Sequence, residues 1–385
     1  METADVVTCF LRHRGDVLLL RRSDETSTYR GRWAGVSGYV EREDAVDDAY
    51  REIQEETGQV DVELLRRGEP FEFVDSDLNT RWRVHPFAFE AASRDVDLNE
   101  ETVDYEWCSP TEILRRQTVP RLWRSYEAVS PDVEDVASDT ESGSLRVAET
   151  ALEVLRDAAA TSHGDAAEVA RSLVEARRSM ASVVDRVARA ADASDVERAA
   201  HRAIREMHED VERAASRAAG ALGDRVVTVS RSGSVARALE DADVDIVVLE
   251  SLPGGEGRGF AGDVGGDVEP DSRAAAVVRD ADSVVLGADF VSEDGDVYNK
   301  VGSLGVAVAA DRFDVDCFCI ATSDKVSADE FENEFTWYLG RRVPVFERVP
   351  SDLVSVVTED GVVSDGEIRR LADLHARRLS RLFEE

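Results

Sequence analysis

Three glutamates fall within five positions of this chain, at Glu52, Glu55 and Glu56, and Arg51 stands directly before them. On a helix over 45–57, turning about 100° per residue, the three carboxylates share an arc of roughly 100°. Ala45, Ala49 and Ile53 form an apolar stripe, and Glu56 lies over it. Glu52 precedes Glu55 and Glu56 by three and four residues, a spacing at which like charges repel. All three occupy the last turns, where the helix macrodipole disfavours anions. A carboxylate partly buried beside an apolar face also needs a counter-charge. A divalent cation supplies one, and hard oxygen ligands suit Mg2+ or Mn2+, which bridge to substrate phosphates. The competing reading is a solvated acidic face, which so acidic a chain makes common.

Three further segments suit anion chemistry. Ser230-Arg231-Ser232-Gly233 follows an apolar run and opens a helical pattern, so backbone N–H groups there suit an anion. Glu250 to Gly257-Arg258 is a glycine-rich loop after a second apolar run. Leu286-Gly287-Ala288-Asp289 ends a third run, and Gly295-Asp296-x-x-Asn299-Lys300-x-Gly302 follows. Strand ends of parallel sheets are where ligands bind. Each segment alone reads equally as a turn, a flexible insertion or a cap. Lys300 is set apart because Lys300 and Lys325 are the only lysines among 46 basic residues.

The elements that must position these groups follow from periodicity. Strands are expected at 6–12 and 16–21, an extended glycine- and aromatic-rich stretch at 31–40, and a helix from Asp44 to Thr57 stopped by Gly58. Further strands are expected near 60–66, 70–75 and 82–90, then a short helix over 110–116. Residues 130–144 carry almost no apolar periodicity and read as a linker. From 145 to 221 the chain is rich in Ala, Arg and Glu. Leu173, Val174, Met180, Val183 and Val184 recur at helical spacing, so three or four helices are expected. After Arg225, apolar runs at 226–229, 245–249, 283–286 and 317–321 alternate with helical patterns at 232–240, 271–280 and 300–311. That alternation indicates a parallel sheet with crossover helices. The domains so read are 1–128, an acidic linker 129–146, a helical subdomain 147–222 and a parallel-sheet domain 223–385.

The 385 residues are 43% hydrophobic, enough for real cores, and no run of about 18 apolar residues suggests a membrane span. Met1-Glu2-Thr3-Ala4-Asp5 lacks a basic-then-apolar run, so no secretory signal is expected. The net charge of -35, carried with almost no lysine, suits a surface that stays hydrated in concentrated salt. It points to the cytoplasm of a salt-loving archaeon and away from non-specific nucleic-acid binding. Cys9, Cys108, Cys317 and Cys319 form no Cys-x-x-Cys pair, which fits a reduced compartment. Cys317 and Cys319 alternate along an apolar run and are expected on one face of a buried strand. His201 and His208 read as ordinary helix residues.

Arg51-Glu52-Ile53-x-Glu55-Glu56-x-Gly58, with Glu43 eight residues before Arg51, resembles the Nudix box, G-x5-E-x7-R-E-U-x-E-E-x-G-U with U aliphatic. Arg32-Trp33 before Gly35-Val36-Ser37-Gly38, and Glu106-Trp107 later, fit the same surroundings, so the resemblance spans residues 4–125. Two positions depart from the pattern. Ser37 stands where the first glycine belongs, with Gly38 one residue later, and Gln59 replaces the last aliphatic residue. The resemblance implies hydrolysis of a nucleoside diphosphate linked to another group. It implies that Glu52, Glu55 and Glu56 hold metal and that Arg51 orients them. Glu43 and Glu55 are the general-base candidates. Arg21, Arg22, Arg30 and Arg32 are candidate phosphate contacts, though each reads more readily as a surface arginine. Trp33 and Phe73 are candidate base-stacking residues, though each reads more readily as core.

The three C-terminal segments, in their order, resemble the translation initiation factor 2B alpha/beta/delta family, over about 150–380. That family also contains ribose-1,5-bisphosphate and methylthioribose-1-phosphate isomerases. The whole is therefore expected to be an α/β multidomain protein. A Nudix α/β/α sandwich comes first, then a helical segment and a Rossmann-like parallel-sheet domain. By this resemblance Ser230, Arg231, Ser232, Gly233, Arg258, Asp289, Asn299 and Lys300 bind a phosphosugar. The isomerases use a cysteine where Ser230 stands and an aspartate where Asp289 stands, and their arginine after Glu250 is here Leu252. A serine has no accessible anion comparable to a thiolate near neutral pH. Sensing of a sugar phosphate or nucleotide effector is therefore expected, in place of isomerisation. The leading expectation is a Nudix hydrolase fused to a regulatory module that forms homo-oligomers through its C-terminal domain. The alternatives are a non-catalytic regulator with a sensing Nudix fold, and a bifunctional enzyme.

Overall fold

The structure, a computed structural model, describes residues 1–24, 26, 28–139, 142–161, 165–240 and 242–384. It divides into two compact units, Met1–Asp135 with Glu153–Gly164, and Val136–Leu152 with Asp165–Glu385.

The first unit is built on β1 (Glu2–His13), β2 (Asp16–Arg22), β3 (Trp33–Ala34), β4 (Val36–Tyr39), helix α1 (Ala45–Thr57), β5 (Val62–Arg67), β6 (Phe71–Asp75), β7 (Thr80–Ala91), β8 (Thr102–Cys108) and α2 (Leu122–Glu127). Strand β1 is the spine. It runs parallel to β7 from Glu2–Thr80 to Arg12–Glu90 and antiparallel to β2 and β4. Its alternation places Val7, Cys9 and Leu11 on one face, packed with Ala45, Ala49 and Ile53 of α1. Phe10 faces the other way, packed with Leu19, Ala88, Leu122 and Tyr126. Both faces are thus covered by helices, which makes the sandwich. Full burial of a side chain such as Ile53 contributes roughly 1.5–3 kcal/mol. Arg156 is fully buried here, and its guanidinium donates to the Gly15 carbonyl, to Tyr126 Oη and to Asp157, each at 2.8 Å.

A six-residue helix, α3 (Val133–Ser138), lies within the stretch read as a linker. One apolar anchor holds it, Val136 at 1% exposure, and a single anchor leaves no period to detect. Thr140 and Glu141 of that stretch lie outside the described residues. Four helices follow, α4 (Ser144–Ala160), α5 (Ala166–Ala176), α6 (Ala181–Ala191) and α7 (Val196–Ala219). His201 and His208 lie on α7. Arg186 of α6 is buried, with Asp324 at 2.6 Å and Asp210 at 3.0 Å as counter-charges.

The second unit continues through β9 (Arg225–Val229), α8 (Gly233–Leu239), β10 (Asp245–Leu249), α9 (Gly257–Val264), β11 (Asp267–Glu269), α10 (Ala274–Arg279), β12 (Ser283–Gly287), β13 (Phe290–Ser292), β14 (Val297–Lys300), α11 (Ser303–Phe313) and β15 (Asp316–Ile320). Its last elements are β16 (Val326–Ser327), β17 (Phe335–Tyr338), β18 (Arg341–Pro344), β19 (Phe346–Val349), β20 (Ser355–Thr358), β21 (Gly361–Val362) and α12 (Asp365–Phe383). The main sheet has the order β11-β10-β9-β12-β15-β20-β21, parallel except for its last pair. Alternating residues face opposite helix layers. Val226, Ile246 and Val285 meet α7, α8 and α9. Val227, Val247, Leu286, Cys317 and Cys319 meet α10, α11 and α12. The two cysteines thus share one buried face, and all four cysteines are free thiols. The glycine-rich stretch after Glu250 ends in α9, where Phe260 and Ala261 bury a face too short to show a period. No described helix is long and apolar enough to cross a membrane.

Candidate functional site

Helix α1 has the ends its sequence suggests. The Asp44 side chain accepts from the Val46 N–H at 3.2 Å. Gly58 closes the helix in the left-handed conformation, at φ 71°. With Ala45, Ala49 and Ile53 turned into the core, Glu52 and Glu56 follow them inward, to 9% and 7% exposure. Strand β4 lies against them. A Cβ on Gly38 would collide with the Glu52 carboxyl group, so this close approach requires glycine. The Ser37 N–H reaches Glu56 Oε1 at only 3.4 Å.

Arg51 holds the acidic residues in order. Its guanidinium meets Asp48 at 3.1 Å, Glu52 at 2.8 Å and Glu55 at 3.1 Å. Asp48 is fully buried and accepts the Glu41 and Arg42 N–H groups, both at 2.9 Å. Burial, only partly answered by Ser37 and reinforced by the charges of Glu52 and Glu101, pushes the Glu56 carboxyl up to about 8. Burial also raises Glu52, against the pull of Arg51 and with the help of Glu55 and Glu101.

Glu52 and Glu55 border a cavity of about 320 Å³. Arg22, Glu41, Glu52, Glu55 and Glu101 line it on the polar side, and Tyr29, Tyr39, Phe73 and Trp82 on the aromatic side. Tyr29 donates to Asp75 at 2.7 Å, which fixes its ring beside the cavity. Of the four candidate arginines only Arg22 lines it. Arg21, Arg30 and Arg32 are turned to the carbonyls of Gly31, Thr26 and Thr118. Trp33 packs beneath Arg116, 4.8 Å from its ring centre, and is core. Glu43 is exposed and does not line the cavity. Asp48 draws in the loop by its 41 and 42 N–H groups, and this brings Glu41 to the rim. Two contributors were not visible in the motif. Glu101 arrives from the turn just before β8, with no sequence signal. Asp48 is one helical turn before Arg51 on the same face, a signal the chain did contain.

The donor set fits a hard divalent cation in type, because it is all carboxylate, and in charge, because Glu56 is buried without an adequate counter-charge. The side chains are spread along Arg51. Among the described residues no three His, Cys, Asp or Glu side chains gather in a metal-holding group.

The second site follows from strand order. Strands β10 and β11 extend the sheet to one side of β9, and β12, β15 and β20 extend it to the other. The β9/β12 boundary is therefore a topological switch point. At its carboxyl end Ser230 takes a left-handed backbone, φ 71°, between β9 and α8. Its N–H donates to Ser251 Oγ at 2.7 Å, and its hydroxyl donates to Glu256 at 3.1 Å. Lys300 meets the same Glu256 oxygen at 3.0 Å. Asp289 is raised by burial and held down by Lys325 and Lys300, so both lysines of the chain flank it. Asn299 donates to Ser303 Oγ at 2.9 Å, and Ser232 accepts from the Val235 N–H at the start of α8, beside Gly233. Arg231 and Arg258 are not brought in. Both are largely exposed and pair with Asp263 at 2.9 Å and Glu250 at 2.7 Å. Glu256, which ties Ser230 to Lys300, lay unremarked in the glycine-rich loop.

The NUDIX domain family matches residues 2–129, and the initiation factor 2 subunit family matches residues 140–365. Over 126 residues the chain is 30% identical to nucleoside triphosphatase NudI of Escherichia coli O81, which covers 30% of this chain and 87% of that protein. It is 28% identical over 228 residues to methylthioribose-1-phosphate isomerase of Geobacillus kaustophilus, covering 46% of this chain and 64% of the relative. For the Bacillus licheniformis isomerase the identity is 25% over 185 residues, covering 37% and 52%. The chain thus spans between half and two thirds of the length of these two isomerases. The crystal structure of Pyrococcus horikoshii translation initiation factor eIF-2B shares the fold, with a TM-score of 0.54 at 22% identity over 60% of this chain and 94% of that one. A NUDIX domain in residues 2–129 thus precedes a region through which the chain belongs to the initiation factor 2 subunit family.

Proposed function

We propose that the N-terminal domain is a metal-dependent hydrolase of a compound containing a nucleoside-linked diphosphate, and that the C-terminal domain is a ligand-binding regulatory module. The observation that carries the reading is the buried Glu56 carboxylate, raised further by Glu52 and Glu101, two residues that line a cavity with an aromatic wall. Glu52, Glu55 and Glu56 would hold Mg2+ or Mn2+, which supplies charge neutralisation of the diphosphate and a more acidic bound water. Arg51 keeps the glutamates aligned. Arg22 places a positive charge on the cavity wall, where the diphosphate would lie. Tyr29, Tyr39, Phe73 and Trp82 offer ring faces and edges to a base. Glu55, Glu41 and Glu101 reach the cavity as proton acceptors, and Glu43 does not. The nucleoside triphosphatase activity in the relative's name fits this class of substrate.

The test is a screen of the purified chain against nucleoside di- and triphosphates and their conjugates, in high salt with Mg2+ or Mn2+. Turnover that collapses in Glu55→Gln while the fold is kept supports the reading, and unchanged turnover refutes the role of the helix. A second reading, a Nudix fold that only senses, draws on the ion pairs that spread the carboxylates along Arg51. Metal-dependent binding of a nucleotide without turnover would select it.

A further inference from the structure

The switch-point crevice already contains its own anions. Several donors that a phosphate would seek there are engaged by internal acceptors. The Ser230 N–H is taken by Ser251 Oγ. The Ser251 and Leu252 N–H groups are taken by Asp271, at 2.8 and 2.7 Å. Those of Gly302 and Leu304, at the start of α11, are taken by Glu347, at 2.6 and 2.9 Å. Arg258 is turned to Glu250, and Lys300 to Glu256. The Glu256 carboxylate stands where a phosphate would, bridging a hydroxyl and an ammonium group.

The adjoining cavity, about 380 Å³, has the same balance. Asp139, Asp289, Glu332 and Glu334 line it against two cations, Arg177 and Lys300. The Arg177 guanidinium donates to the carbonyls of Val136 and Asp139. A dianion entering here meets more negative than positive charge, and burying a charge without a partner is costly. A cation meets the two ammonium groups beside Asp289. A hydroxyl both donates and accepts, and suits a wall of mixed sign. The Asp289 carboxylate accepts no hydrogen bond among the described residues, so a ligand hydroxyl finds an acceptor there. Met180, Phe331, Val345 and Phe346 give the cavity an apolar side.

Building on the regulatory role given to this domain, we propose that its crevice binds an unphosphorylated ribosyl compound, a free pentose or a nucleoside, and rejects the 5-phosphate of the same compound. Asp289 accepts from the sugar hydroxyls, Lys300 donates to them, and Glu256 repels the phosphate.

Isothermal titration of the full chain in high salt without divalent ions tests this, with ribose, ribose 5-phosphate, adenosine and adenosine 5'-monophosphate. An unphosphorylated member is expected to bind at least tenfold more tightly than its phosphate. The heat should disappear in Asp289→Asn and persist in Glu52→Gln, which separates this crevice from the hydrolase site. Equal binding of ribose and adenosine makes the pentose the recognised part, and binding of adenosine alone makes it the nucleoside. In Glu256→Gln, affinity for the phosphorylated member should rise at least tenfold. Preference for a phosphate in the unaltered chain, binding of none of the four, or heat that survives Asp289→Asn would overturn the proposal. Loss of hydrolysis with this pattern intact would count against the N-terminal reading alone.

Discussion

The acidic helix and the switch-point crevice both place carboxylates beside a cavity, and they differ in how the charge is answered. On α1, Glu56 has one long hydrogen bond and two acidic neighbours, so burial leaves it short of positive charge. In the crevice, Glu256, Asp271 and Glu347 each take up nearby donors, so several that a phosphate would need are used. Charge left unanswered marks a place prepared for something from outside. Charge answered internally marks a place that discourages a further charge and leaves room for a neutral ligand. Sequence motifs pointed to a phosphate-handling site in both regions, and only the accounting of partners separates them.

The largest expected effect breaks the comparison if it fails. Glu52→Gln and Glu56→Gln should each lower kcat by about 10²–10³-fold, as the loss of a group that answers developing phosphoryl charge does. Steady-state kinetics on whichever nucleotide the screen identifies would measure it. Above about pH 8, where Glu56 ionises, Glu56→Gln should also raise the thermal midpoint of the metal-free protein, because it removes a buried charge.

The second prediction removes the compensation from a carboxylate that has it. Arg186→Leu leaves Asp324 and Asp210 buried without their guanidinium and should destabilise the chain by about 3–5 kcal/mol, read by denaturant titration. Burial alone would raise Asp324, but Arg186 holds it below its ordinary 3.8. The stability this pair provides is therefore complete above that value and is lost as pH falls toward the lower folded value. The gap between Arg186→Leu and wild type should narrow over that acidic window and stay constant from pH 5 to 7.

Asp48→Asn sharpens the picture at the loop. It weakens the hold on the Glu41 and Arg42 N–H groups and on Arg51, and should cost about 1.5–3 kcal/mol of stability, the range for hydrogen bonds to a charged group. Turnover should fall with it, because Arg51 loses one of the groups that aim it. The smallest effect is expected for Glu43→Ala. A substitution at this exposed position should stay within about 0.5 kcal/mol and leave kcat unchanged. A large fall in kcat would restore Glu43 to the site.

What was legible in the sequence was local. The caps of α1, its apolar stripe and its inward glutamates are set by spacing along one helix, and the parallel strands by dense apolar runs. Non-local contributors were not legible. Glu101 reaches the α1 cavity only because β8 pairs with β2. Glu256 looked like one more acid in a glycine-rich loop until α9 brought it to Lys300. The short strands from β16 to β21 are two to four residues long, too brief for a period to show. Arg231 and Arg258 read as anion ligands because sequence shows charge without its partner, and Asp263 and Glu250 are those partners.

The scarcity of lysine also gives the chain a built-in reporter. Apart from the N-terminus, the only primary amines are Lys300 and Lys325, and both stand beside Asp289. An amine-directed acylating reagent followed by mass spectrometry would therefore read that one neighbourhood with almost no background. Slower labelling on addition of a small molecule would reveal its arrival without any radiolabel, chromophore or engineered tag.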